Sequence, residues 1–158
     1  MNVRRAELKD LSALVALHEE VQQLHLAARP DQFKAPAEGA LEKRFRELLA
    51  SADAKVWVAE LDAAVVGYAV QLLVRRPGGP VVPDRQWIEI DMIGVFAPHR
   101  GHGVGRALID VIVDDARAAG IEQVELSSWA FNTDAHQAFE RAGFVPKLTR
   151  FELKRTRR

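Results

Sequence analysis

The chain has 158 residues, 48% of them apolar, and 22 Lys and Arg balance 22 Asp and Glu, so its formal net charge is zero. That length suits one domain, residues 1–158, with a real hydrophobic core, and the charge balance argues against a nucleic-acid or membrane partner. No cysteine is present, which excludes disulfides, thiolate metal sites and a cysteine nucleophile.

In chain order, Asn2 to Ala6 reads as a short strand. Leu8, Leu11, Leu14, Val15, Leu17, His18 and Val21 then recur at a helical period, with Asp10 near the start. Two prolines between Ala28 and Pro36 interrupt that helix, and Leu41, Phe45, Leu48 and Leu49 mark a second one ending near Ser51. Val56 to Leu61, the tight turn Asp62-Ala63 and Val65 to Val74 predict a hairpin. A Pro- and Gly-rich loop, Arg75 to Arg85, leads to a strand from Trp87 to Phe96. Val104, Leu108, Val111, Ile112, Ala116 and Ala119 share one face of the next helix, and Gly120 suits its C′ position. A strand from Val124 to Trp129, a helix from Thr133 to Ala142 and a last strand region from Phe144 to Leu153 complete the order βααβββαβαβ. That order predicts an α/β (α+β) fold, a mixed sheet flanked by helices. The basic end, Lys154 to Arg158, reads as a solvated terminus. The N-terminus lacks an apolar segment with a cleavage site and no run approaches a membrane span, so a cytoplasmic location is expected.

The most informative stretch is Arg100-Gly101-His102-Gly103-Val104-Gly105-Arg106, between an apolar strand and an amphipathic helix. Its glycines let a ligand approach the backbone, and the orphan amides and dipole of the helix start favour an anion. The dinucleotide fingerprint fails, because the sixth position counted from Gly101 is Arg106, and no Gly-Lys-Ser or Gly-Lys-Thr marks a nucleoside-triphosphate loop. What remains is Arg-x-x-Gly-x-Gly on Arg100, Gly103 and Gly105. A second motif follows, with Asn132, Ala135, Phe139 and the closing pair Gly143-Phe144. In order and spacing, the two motifs resemble the signatures of the GNAT-type N-acetyltransferases, and the resemblance extends over nearly the whole chain.

The resemblance implies a mostly antiparallel sheet of the acyl-CoA N-acyltransferase kind. It implies acetyl-CoA as co-substrate, no metal, and a primary amine of a small molecule or peptide as acceptor, attacked in a ternary complex without an acyl-enzyme. The cofactor would contact Ile93, Val95, residues 100–106 (Arg100, Gly101, His102, Gly103, Val104, Gly105 and Arg106), Asn132 and Phe139. Asn132 also reads as a helix N-cap. His25 and Phe33 fall where the family borders its acceptor, and homodimers are common there. One departure matters. The aromatic position of the second motif is usually a tyrosine that protonates the departing thiolate, and Phe139 has no proton to give. Ser127, Ser128, His136, Tyr68 or a water are the substitutes.

Strict alternation would set Ile88, Ile90, Met92, Gly94 and Phe96 on one face of the Trp87–Phe96 strand and Trp87, Glu89, Asp91, Ile93 and Val95 on the other. Two carboxylates two residues apart on a central strand read either as a general base or cation-binding pair at the floor of a substrate groove, or as half of an ion pair with an Arg or Lys of a neighbouring strand. Asp91 matches the family's base position best, with Glu89 second. A lysine-like amine is neutral in only about one copy in 2,500 at pH 7, so a base has work to do. The tryptophans Trp57, Trp87 and Trp129 fall on expected strands, where aromatics bury large area. Two other functions compete with amine acetylation: a coenzyme A-binding sensor with little catalysis, and acyl transfer to a hydroxyl.

Overall fold

The computed structural model describes residues 1–154; the end of the basic tail, residues 155–158, lies outside the described residues. Five strands form one sheet in chain order: β1 (Asn2–Arg5), β2 (Ala54–Leu61), β3 (Ala64–Arg76), β4 (Arg85–Val95) and β5 (Val124–Leu126). The first four pair antiparallel, and β5 joins β4 in parallel. Four α-helices flank the sheet: α1 (Leu11–Ala28), α2 (Ala40–Ala50), α3 (Val104–Ala118) and α4 (Thr133–Arg141).

The hairpin turn carries positive φ at both Asp62 (48°) and Ala63 (64°), the backbone that a two-residue turn needs to match the strand twist. The α3 helix ends as Gly120 predicts. Gly120 N–H bonds Arg117 C=O and Ile121 N–H bonds Ala116 C=O, so two orphan carbonyls are satisfied around a left-handed glycine. The buried stripe of α3 is Val104, Leu108, Ile109, Ile112 and Ala116; Ile109 joins it, Val111 is only half-buried and Ala119 is exposed.

Each sheet face has its own core. On one side Leu14, Leu17 and Phe45 from α1 and α2 pack on Val56, Val58, Tyr68 and Val70. On the other, Leu108 and Ile112 of α3 pack on Ala59, Ala69, Ile88 and Ile90, with Phe139 and Phe144 against the rim. At the first corner, Asp10 is 5% exposed and takes both Arg4 Nη atoms at 2.8 and 2.9 Å, while Arg4 also bonds Glu60. The Arg4 guanidinium holds the Asp10 carboxyl below its ordinary value.

Three sequence expectations change. First, the alternation along β4 does not run through. Met92 pairs with Val70 but Ile90 pairs with Gln71, so Asp91 is the extra residue of a β-bulge. The faces swap there: Ile88 and Ile90 share the α3 side with Ile93 and Val95, while Met92 and Phe96 turn to the α1–α2 side. Second, β5 stops at Leu126, so Trp129 is not on a strand. Third, no strand forms between Phe144 and Leu153; Val145, Leu148, Phe151 and Leu153 are 80–90% exposed there, with no sheet partner to cover them.

Candidate active site

The site begins where β4 and β5 part. Their pairing runs only over Ile88↔Val124, Glu89↔Glu125 and Ile90↔Leu126, although β4 continues to Val95. Residues 91–95 of β4 therefore present a main-chain edge to a gap, which residues 127–131 border on the far side.

At the head of that gap lies the glycine loop. Gly101 (φ 75°) and Gly103 (φ 82°) are both left-handed, and a Cβ on either would meet nothing within 4 Å. The loop's glycines therefore answer to backbone geometry and open space, not to tight internal packing. Gly103 caps α3, and the amides of residues 101–106 have no acceptor among the described residues; the first N–H turned back into the protein is that of Ala107, to Gly103 C=O at 3.0 Å. Six adjacent donors at the positive end of a 15-residue helix form a seat for an anion.

The flanking arginines serve the scaffold. Arg100 gives Nε–H to Val95 C=O at 2.8 Å and pairs with Glu20 of α1 at 2.5 Å; Glu20 also accepts the Ala97 amide at 3.0 Å. Arg106 is held by Asp110 at 2.7 Å and by the Arg141 carbonyl at 3.1 Å, which ties α3 to the end of α4. Both guanidinium groups are tied to the protein beside the loop, and the unpaired donors of the loop itself are its main-chain amides. The exposed ring of His102 makes no hydrogen bond among the described residues.

The carboxylates sit as the bulge dictates. Glu89 lies opposite Leu72 on the α1–α2 side and accepts Trp87 Nε1–H at 3.0 Å. Asp91 reaches Arg44 of α2 at 3.3 Å and stays exposed. Asp91 thus forms an ion pair, but with a helix residue 47 positions away in sequence and not with the neighbouring-strand cation expected. Ile93 and Val95 point their side chains into the α3-side core, so only their main chain borders the gap.

Beneath β4, α1 comes close because residue 94 is glycine: a Cβ there would stand 2.7 Å from Val21 Cγ2 and 2.8 Å from Tyr68 Cε1. Tyr68 is fully buried, and its hydroxyl lies 2.7 Å from His18 Nδ1. Burial pushes the Tyr68 phenol up and, as the largest cause, the His18 imidazole below its ordinary 6.5; Arg44 and His25 add to the His18 shift. Tyr68 is therefore a core residue committed to His18, which removes it from the candidate thiolate acids. Ser127 and Ser128 are exposed on the far side of the gap, and His136 is half-buried on α4. Asn132 stands at the N-cap position of α4, but its side chain makes no capping hydrogen bond; its carbonyl accepts the His136 amide at 3.1 Å. Phe139 packs edge-on against Phe144 at 6.2 Å and offers only carbon.

His25 and Phe33 do come together, with ring centroids 5.0 Å apart, and Trp129 and Phe131 join them from beyond β5. Sequence reasoning put Trp129 at the end of a strand and did not single out Phe131; the polar pair Ser127-Ser128 was the signal that the strand had ended. Glu20 and Arg44 carried no local signal, since each acts on a residue far away in the chain.

Residues 18–144 match the Acetyltransferase (GNAT) family. The chain belongs to that family. Among curated relatives it is similar to the mycothiol acetyltransferase of Beutenbergia cavernae, 42% identical over 65 residues, which are 41% of this chain and 22% of that protein. It is also similar to N-acetyltransferase family 8 member 2 of Rattus norvegicus, 29% identical over 60% of this chain and 40% of that one. The matched stretches thus span well under half of either relative. Among solved structures, a mutant of the BH1408 protein from Bacillus halodurans superposes with a TM-score of 0.94 at 25% identity, covering 99% of this chain and 100% of that one. An aminoglycoside N-acetyltransferase in complex with CoA shares the fold, with a TM-score of 0.73 at 15% identity over 98% of this chain and 100% of that one. No helix among the described residues is long and apolar enough to cross a membrane.

Proposed function

We propose that this protein transfers an acetyl group from acetyl-CoA to a primary amine. The observation that carries the reading is the run of free amides over residues 101–106, at the head of the gap between β4 and β5. Those donors suit the diphosphate of coenzyme A, and the free edge of β4 suits an extended chain with amide groups, such as its pantetheine arm. The solved CoA complex of the same fold supports this choice of co-substrate.

Glu89, which has no ion-pair partner among the described residues, supplies the base, with Asp91 beside it paired to Arg44. The acceptor arrives as an ammonium; a carboxylate takes its proton, directly or through water, and the neutral nitrogen attacks the thioester carbonyl carbon. The N–C bond forms, the C–S bond breaks, and the second nitrogen proton leaves with the thiolate. Phe139 cannot deliver that proton, so solvent or His136 does. A thiol is a good leaving group, with a pKa of about 8.5 for a cysteine-like sulfur, and needs less help from an acid than an alkoxide would.

Calorimetry with coenzyme A, followed by mass spectrometry of an amine panel incubated with acetyl-CoA, tests the proposal. Binding together with N-acetylated product supports it. Binding without any product points to a coenzyme A-sensing role, the reading that Phe139 favours; absence of binding removes both.

A further inference from the structure

We infer that the acceptor is a primary monoamine carrying an aromatic body, seated against the ring cluster of His25, Phe33, Trp129 and Phe131. The inference rests on the acetyl-transfer reading and adds the class of amine.

The cluster is built across the gap. His25 sits in the last turn of α1, Phe33 follows in the α1–α2 connection, and Trp129 and Phe131 stand on the segment that continues from β5. Phe33 meets Trp129 edge-on at 5.3 Å and His25 meets Phe131 edge-on at 5.6 Å. Trp129 and Phe131 lie nearly parallel, 22° apart with centroids at 6.4 Å, and each stays 37% exposed. Four rings in contact satisfy one another only in part, and two of them keep surface exposed to solvent. Exposed aromatic surface beside a cleft is the mark of a ligand wall, because a second aromatic body gains both area and ring–ring contact there. Arg29 covers the outer side of Trp129 at 5.2 Å and is itself pinned by Asp31 and Glu152, so the wall is held in place.

Charge decides how many ammonium groups the acceptor brings. Asp91 is paired with Arg44, and Glu125 with Arg85 and Lys147. Among the described residues Glu89 is the carboxylate of this group that no cation holds; its contact is the Trp87 indole N–H. One available carboxylate suits one ammonium. A polyamine would bring further positive charges against Arg44, Arg85 and Lys147, where like charges repel.

The test compares kcat/KM for phenethylamine, butylamine and tobramycin at fixed acetyl-CoA. Phenethylamine and butylamine have the same charge and differ in the ring; tobramycin is a polycation. The expected result is a preference of at least tenfold for phenethylamine over butylamine and weak or no turnover of tobramycin. In Trp129→Leu and in the Trp129→Ala/Phe131→Ala pair the ring preference should collapse toward unity, and Trp129→Phe should restore most of it. Calorimetry with coenzyme A reports whether each variant is folded. Equal turnover of the two monoamines, or tobramycin as the better acceptor, overturns the inference and leaves acetyl transfer standing. If coenzyme A binds and none of the three amines reacts, acetyl transfer to such amines fails, and the ring site is read by fluorescence. Phenethylamine should then quench the wild-type protein and not Trp129→Phe; no difference between them overturns the inference.

Discussion

On the side of the gap where we place the cofactor the free donors are main chain; on the side where we place the acceptor the surface is side chain. Residues 101–106 present amides, and the arginines beside them are turned to Glu20, Val95 and Asp110. Across the gap the contacts come from four rings and two carboxylates, Asp91 paired with Arg44 and Glu89 bonded only by the Trp87 indole. A main-chain surface needs particular backbone angles, so it fixes glycines in a short run. A side-chain surface draws on residues scattered from 25 to 131, and many combinations could serve. The first kind of site constrains its sequence tightly and the second does not.

The largest effect should come from breaking the main-chain side. Gly103→Val places a branched Cβ at φ 82°, a conformation that costs an L-residue roughly 1–2 kcal/mol even without branching. Nothing lies within 4 Å of that Cβ and the buried face of α3 is untouched, so the protein should still fold. Calorimetry should show coenzyme A affinity falling by about 100-fold, the scale of losing one or two charge-assisted amide contacts. Arg106→Ala provides the contrast, with a loss of only a few-fold, since that guanidinium already has partners in Asp110 and Arg141. If the two variants cost the same, the cofactor side is not a main-chain site.

Next comes the side-chain face. Glu89→Gln with Asp91→Asn should lower turnover of lysine-like amines at pH 7 by about 100-fold, the low end for a positioned base. Coenzyme A affinity should stay within about twofold, because neither residue lies in the loop. The measurement pairs steady-state rates with calorimetry. Retained turnover at neutral pH would remove the base from this face.

The same contrast explains what could be read before the structure. The glycine loop, the helix it opens and the hairpin were legible because periodicity and turn chemistry are local. Gly120 showed itself through a left-handed cap and Asp62-Ala63 through a two-residue turn. The bulge at Asp91 was not legible, since an extra residue in one strand shows only when its partner's register is known. Ion pairs such as Asp91–Arg44 and Arg100–Glu20 were hidden for the same reason: they join residues 47 and 80 positions apart. The expected last strand failed differently. Residues 144–153 have strand-like composition, but an apolar pattern makes a strand only where an edge receives it, and β5 offers three residues.

Phe139→Tyr should have a smaller effect on the cofactor side. The ring lies at the rim of the α3-side core against Phe144, so an added hydroxyl needs little repacking. A rate gain of roughly tenfold in kcat is expected, below the ~100-fold of ordinary acid catalysis, because the thiolate leaves readily without help. No gain would mean that thiolate protonation does not limit the reaction. Pre-steady-state kinetics separate that outcome from slow product release.

The smallest predicted effect concerns the floor that both sides share. His18 of α1 holds the Tyr68 hydroxyl at 2.7 Å beneath β4, and burial keeps its folded-state pKa below the ordinary 6.5. In the window just under pH 6.5 the unfolded chain therefore binds a proton that the folded chain refuses, and stability falls as pH falls. Below the folded-state pKa the loss is complete and this slope ends. The lowered carboxylates act elsewhere: Asp10 and Glu60 stabilise the fold above their ordinary values of 3.8 and 4.5 and lose that contribution only as pH drops through them. A urea midpoint measured from pH 7 to pH 5 should thus decline slightly in the native protein. In His18→Gln the decline should flatten, while the steeper loss below about pH 4, set by the carboxylates, remains. An unchanged slope in the variant would mean that His18 takes up its proton in place, keeping the Tyr68 contact through a different hydrogen bond. The shared floor would then adapt to pH without loss of stability.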